Sequence, residues 1–98
     1  MAPLRYAVHA YAWTPSWSND TLDCIDRAKA LGFDLIEVPL MEIEKVDASA
    51  IRARCESAGL GVCTSTACSE CTDPTGEDEA TRATGLRYLR ALEAKCYA

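Results

Sequence analysis

The chain has 98 residues, 49% of them hydrophobic and 26% charged, a globular composition with enough for one small core across residues 1–98 and no more. A formal net charge of −5 argues against a nucleic-acid partner, which would be held by clustered Lys and Arg. No stretch approaches the roughly 20 apolar residues of a membrane span, and the opening "MAPLRYAVHAYAW" runs into Trp and Pro instead of a signal-peptide cleavage site. A cytoplasmic protein is therefore expected, with its six cysteines reduced instead of paired in disulfides.

In chain order, "RYAVHAYAW" is a short apolar run rich in β-branched and aromatic residues, which predicts a buried strand. "SNDTLDCIDRAKALGF" predicts a helix capped by Asn19 or Asp20, with Leu22, Ile25, Ala28 and Leu31 on one stripe and Gly32 in the left-handed closing position. Asp23, Asp26, Arg27 and Lys29 form its solvated face. "DLIEVPL" is a second strand, apolar nearly throughout as a parallel strand covered on both faces should be. Asp47 is expected to cap a second helix carrying Ile51, Cys55 and Ala58, closed by Gly59, and "LGVCTSTA" predicts a third strand. After the polar loop "CSECTDPTGED", a third helix places Leu86, Leu89, Leu92 and Cys96 on one stripe.

The order βαβαβα implies right-handed crossovers and a parallel sheet, an α/β architecture. Three parallel strands leave two open edges, which complete folds avoid. The chain is therefore expected to be a piece of something larger.

At "HAYAWTPSW" and "LGFDLIEVPL" the sequence resembles the D-tagatose/D-psicose 3-epimerase family, within the xylose-isomerase-like sugar isomerases and epimerases. Three features carry the resemblance. Trp13 and Trp17, with three residues between them, follow the first strand, an LGFDxxE segment runs from Leu31 to Glu37, and Gly59–Leu60 precedes the third strand. The resemblance implies a (β/α)8 TIM barrel, which needs about 250 residues, so the chain would supply about three of the eight βα units as an N-terminal portion. It implies a ketose substrate, proton transfer at C3 through an enediolate, and a divalent metal (manganese, cobalt or magnesium) held by two Glu, an Asp and a His of later strands. None of those catalytic and metal positions falls within this chain, which alone is expected to be inactive and to hold no cofactor. A complete barrel is expected to form a homo-oligomer. Hydroxypyruvate isomerase, inosose dehydratase and endonuclease-type barrels share the fold and stay open as alternatives.

Residues at the C-terminal ends of barrel strands face the active site. By that rule and by the resemblance, His9, Trp17 and Ser65 are the expected substrate-binding residues. His9 stands where the family carries an aromatic residue, so an imidazole replaces a ring that would pack on the sugar; a histidine satisfied within its strand is the alternative. Trp17 would lay its ring against sugar C–H groups, or else pack on the barrel rim. Trp13 is expected to pack. Glu37, a carboxylate in an apolar strand, needs a hydrogen-bonding partner or a raised pKa; the resemblance implies a buried scaffold role, and a catalytic acid is the alternative.

An alternative from another class is a small iron–sulfur electron-transfer protein. Cys63, Cys68 and Cys71, with the distant Cys96, match the C-x4-C-x2-C spacing of plant-type ferredoxins. Against it, "TSTA" between Cys63 and Cys68 has no glycine to bend backbone amides toward sulfur, and Cys96 falls on an apolar helical stripe. Zinc would want two close ligand pairs, and only Cys68–Cys71 is one. "CTSTACSEC" is expected to be a strand end and its loop.

Overall fold

Three short strands, β1 (Ala7–His9), β2 (Leu35–Pro39) and β3 (Gly61–Ser65), form one parallel sheet in the order β1–β2–β3. They alternate with α1 (Asp23–Ala30), α2 (Ala48–Ala58) and α3 (Glu79–Tyr97) in a computed structural model that describes residues 3–97. This is the expected βαβαβα order. β1 is shorter than its apolar run, because the chain turns into a 3-10 helix at Ala10–Ala12.

The register sorts every strand residue onto one of two faces. Ala7 pairs with Leu35 and Leu35 with Gly61, His9 with Glu37 and Glu37 with Cys63, and Pro39 with Ser65. Residues so paired share a face, and their sequence neighbours share the other. Ile36 and Val38, on that other face, are fully buried in a core with Cys24, Ile25, Ala28, Ile51 and Cys55 from α1 and α2. The helices therefore cover the Ile36–Val38 face, and His9, Glu37, Cys63 and Ser65 lie on the face that a barrel turns inward.

The helix ends follow from local chemistry. Asp47 accepts a hydrogen bond from the Ala50 amide as the N-cap of α2. Gly59 closes that helix at φ 71°, where a side chain would be strained, and Leu60 N–H reaches back to the Cys55 carbonyl. The cap ahead of α1 is Ser18, not Asn19 or Asp20. Its hydroxyl accepts from the Asp20 amide while Thr21 Oγ1 accepts from the Ser18 amide, so the cap serves a 3-10 turn that leads into the helix. Leu31 is also not on the buried stripe: Cys24, Ile25 and Ala28 are, and Leu31 is 67% exposed.

The third helix departs further from expectation. Its inward residues are Gly85, Tyr88 and Leu92, whereas Leu86, Leu89 and Cys96 are exposed. The cause is the seat of the helix. α3 rests Gly85 on the backbone of Thr72 and Pro74, so closely that a β-carbon there would stand 2.5 Å from the Thr72 carbonyl oxygen. With that contact fixed, Leu86 and Leu89 rotate outward. Trp13 packs against the core as expected.

Candidate functional site

β1 and β3 end at His9 and Ser65, and the structure brings these two residues together. His9 Nε2 lies 3.0 Å from Ser65 Oγ and 3.3 Å from Glu37 Oε2. The other ring nitrogen, Nδ1, accepts the Tyr11 N–H at 3.0 Å, because His9 caps the 3-10 turn that follows it. An acceptor nitrogen carries no hydrogen, so the imidazole hydrogen sits on Nε2. The Tyr11 ring, its centroid 4.4 Å from that of His9, packs against the imidazole.

This tautomer decides what the group can do. Nε2 donates, so it is no base for the Ser65 hydroxyl, and a serine nucleophile is excluded. The Nε2 hydrogen is given to Ser65 Oγ, and Glu37 Oε2 stands beside the same nitrogen at 3.3 Å as a close polar contact. Glu37 is thus a member of the strand-end group instead of a buried scaffold carboxylate. Its side chain is 36% exposed on the inward face and finds its partner in His9. The sequence signal was present in the LGFDxxE segment, but only the register between β1 and β2 shows which neighbour the carboxylate meets.

Trp17 is not part of this hydrogen-bonded group. It is 5% exposed, and its indole N–H is buried without a hydrogen-bond partner among the described residues. It lines a hollow of about 190 Å³ with Tyr11, Pro39, Met41 and Glu42. Tyr11 and Pro39 place that hollow at the strand ends, beside His9.

A second layer holds the end of β3. The Leu40 amide donates to the Ser65 carbonyl at 2.7 Å, and the Leu40 carbonyl lies 3.0 Å from both Thr66 Oγ1 and Tyr88 Oη. Those hydroxyls are 2.7 Å apart, and with one hydrogen each they fill two of these three contacts at a time. Tyr88 was not legible as a site residue. Its only signal is its spacing from Gly85 on one helical stripe.

The cysteines do not gather. Cys63 lies on the inward face, where its thiol donates to the Ile36 carbonyl at 3.7 Å. Burial raises its pKa, and the Glu37 carboxylate raises it further. Cys96 stands 3.4 Å from Thr64 Oγ1, on the opposite face of the same strand, and Cys68 and Cys71 are exposed in the loop. Among the described residues no three His, Cys, Asp or Glu side chains meet as metal ligands. The iron–sulfur alternative therefore fails on geometry. A larger apolar cavity of about 260 Å³, lined by residues such as Val38, Ile51, Cys55, Leu60 and Val62, lies on the helix side of the sheet, away from His9 and Glu37. No described helix is long and apolar enough to cross a membrane.

No protein-family profile and no curated protein sequence matches the chain. Solved structures do. A D-allulose 3-epimerase from Methylomonas sp., crystallised in complex with D-allulose, matches with a TM-score of 0.89 and 29% identity over 96% of this chain and 33% of that one. An L-ribulose 3-epimerase matches at 0.84 with 28% identity, over 95% of this chain and 32% of that one. A D-psicose 3-epimerase crystallised in the presence of D-fructose gives 0.83 at 23% identity, a likeness of fold. The chain spans about a third of the length of each. Sequence motifs and structure agree: the chain is folded as three βα units of a ketose 3-epimerase TIM barrel are, consistent with the N-terminal portion of one.

Proposed function

We propose that the chain is the sugar-positioning portion of a ketose 3-epimerase, supplying the first three strand ends of a pocket whose proton-transfer groups come from the rest of the barrel. The observation that carries this reading is the match to the D-allulose 3-epimerase over 96% of the chain, combined with a polar group at the strand ends where a barrel binds its substrate. Ser65 would contact a sugar hydroxyl, His9 would hold Ser65 in place for it, and Trp17 would close the pocket wall. The reaction would be inversion at C3 of a ketose through an enediolate.

The resemblance also implies manganese, cobalt or magnesium. The described residues of this chain do not fit such an ion: His9 and Glu37 meet at the pocket 3.3 Å apart, and no third ligand stands with them. A homo-oligomer of the complete barrel and a cytoplasmic location complete the proposal.

The test joins this chain to the remaining two-thirds of the Methylomonas enzyme, in place of the matching third, and assays D-fructose and D-allulose interconversion with manganese. Turnover by the completed barrel is expected, and none by the 98-residue chain alone. A folded but inactive completed barrel would sink the epimerase reading, and metal-dependent turnover by the chain alone would overturn the division of labour.

A further inference from the structure

We propose that Glu37, Ser65 and His9 together form a recognition group for two neighbouring hydroxyls, with Glu37 as acceptor, Ser65 as donor and His9 as the residue that positions both. This rests on the reading of the strand ends as a sugar pocket. It goes beyond that reading by bringing Glu37 into the site and by assigning a direction to each hydrogen bond.

The directions follow from counting hydrogens. Nδ1 of His9 is filled by the Tyr11 N–H, so the ring has one hydrogen to give, on Nε2. That hydrogen goes to Ser65 Oγ at 3.0 Å, and Glu37 Oε2 stands 3.3 Å from the same nitrogen. Ser65 Oγ is therefore an acceptor within the protein, and its own hydrogen is left to donate outward. Among the described residues His9 is the only side chain hydrogen-bonded to Ser65 Oγ and the nearest cation-forming group to the Glu37 carboxylate, which no side chain hydrogen-bonds. Glu37 keeps its second oxygen unused, and a carboxylate can accept only.

The group thus presents one donor and one anionic acceptor, both within 3.3 Å of the same nitrogen. A ligand satisfies them by giving an O–H to Glu37 and receiving one from Ser65. Adjacent hydroxyls of a polyol do both at once, whereas a single hydroxyl leaves one partner unmet. The aromatic residue expected of the family at His9 offers neither direction, so this chain reads hydroxyls where a ring would read only C–H groups. His9 does not itself contact the ligand in this arrangement. If its ring were replaced, Ser65 Oγ would lose the donor that turns its hydrogen outward.

His9 is the single histidine of the chain, so one set of imidazole signals reports the group without ambiguity. Long-range proton–nitrogen correlation spectra of the full 98-residue chain near neutral pH should show the hydrogen on Nε2 and a lone pair on Nδ1. D-fructose should shift the Nε2 signal saturably, while propan-1-ol at equal concentration leaves it in place. Glu37→Gln and Ser65→Ala should each weaken the fructose response about tenfold, the loss expected for a hydrogen bond to a charged or uniquely oriented partner, with the Nε2–H tautomer retained because Tyr11 sets it. A ring averaging between tautomers, as in a chain that does not assemble these residues, would overturn the proposal. So would equal responses to fructose and propan-1-ol, or variants that bind fructose undiminished. Saturable fructose binding of this kind, with an inactive completed barrel, would leave the recognition group standing and remove the epimerase reading. An active completed barrel whose KM for fructose ignores Glu37→Gln would do the reverse.

Discussion

Trp17 is the residue at which packing and function are most easily confused, and two substitutions separate them. The side chain is 5% exposed, so Trp17→Ala creates a large cavity and should cost about 3–5 kcal/mol. At roughly 4–8 °C per kcal/mol for a domain of this size, Tm should fall by more than about 12 °C. Trp17→Phe is a different perturbation. It gives up about 1 kcal/mol of apolar burial with the smaller ring. It also removes the indole N–H, which is buried with no hydrogen-bond partner among the described residues, and such a group costs about 1–3 kcal/mol. The two effects offset, so the Phe variant should melt within a few degrees of the parent. Thermal unfolding followed by circular dichroism on the three proteins is the assay. If Trp17→Phe falls as far as Trp17→Ala, the indole N–H is making a bond and the offset argument is wrong. In the completed barrel, Trp17→Ala should also lower kcat/KM about tenfold, from half the burial of an aromatic ring against the sugar, and Trp17→Phe should restore most of it. An unchanged kcat/KM beside a lowered Tm would make Trp17 a packing residue only.

Features set by short-range chemistry were legible in the sequence. Gly32 and Gly59 adopt the left-handed conformation that their places after apolar stripes require, and Asp47 caps α2 because a short carboxylate before a helical run has its first amides within reach. The parallel sheet followed from the alternation of strands and helices. Local chemistry misled at the α1 cap, where Ser18 stands in place of Asn19 or Asp20, and the remaining failures needed a partner distant in sequence. Periodicity identified Leu86 and Leu89 as apolar residues on one face of α3, but which face turns inward is set by the approach of Gly85 to Thr72 and Pro74, a contact no local pattern encodes. Glu37 was read as a buried carboxylate because its strand is apolar on both sides. The alternation of faces puts it opposite Ile36 and Val38, and the register puts His9 beside it. His9 and Ser65 could be placed together at the strand ends for a third reason. The rule that strand ends make the site needs only the end of each strand, not its register.

Thiol reactivity should follow burial. With iodoacetamide near neutral pH, Cys68 and Cys71 should alkylate first, while Cys24 and Cys55, whose pKa values burial raises, should react only on unfolding; peptide mapping that finds Cys24 or Cys55 modified early would contradict the packing. Gly85→Ala probes the seat of α3. In an ordinary helix interior the change would stabilise by about 1 kcal/mol through the better helix propensity of alanine. At this position the new β-carbon would meet the Thr72 carbonyl oxygen at 2.5 Å and the Pro74 nitrogen at 2.9 Å, both backbone atoms that cannot swing aside as a side chain does. Either the helix or the Glu70–Thr72 turn must shift, and such overpacking costs about 1–3 kcal/mol. The cost outweighs the gain, so Tm should fall by several degrees. A Tm that rises by the helix-propensity increment would mean that α3 does not rest on this loop, and the outward turn of Leu86 and Leu89 would then need another cause.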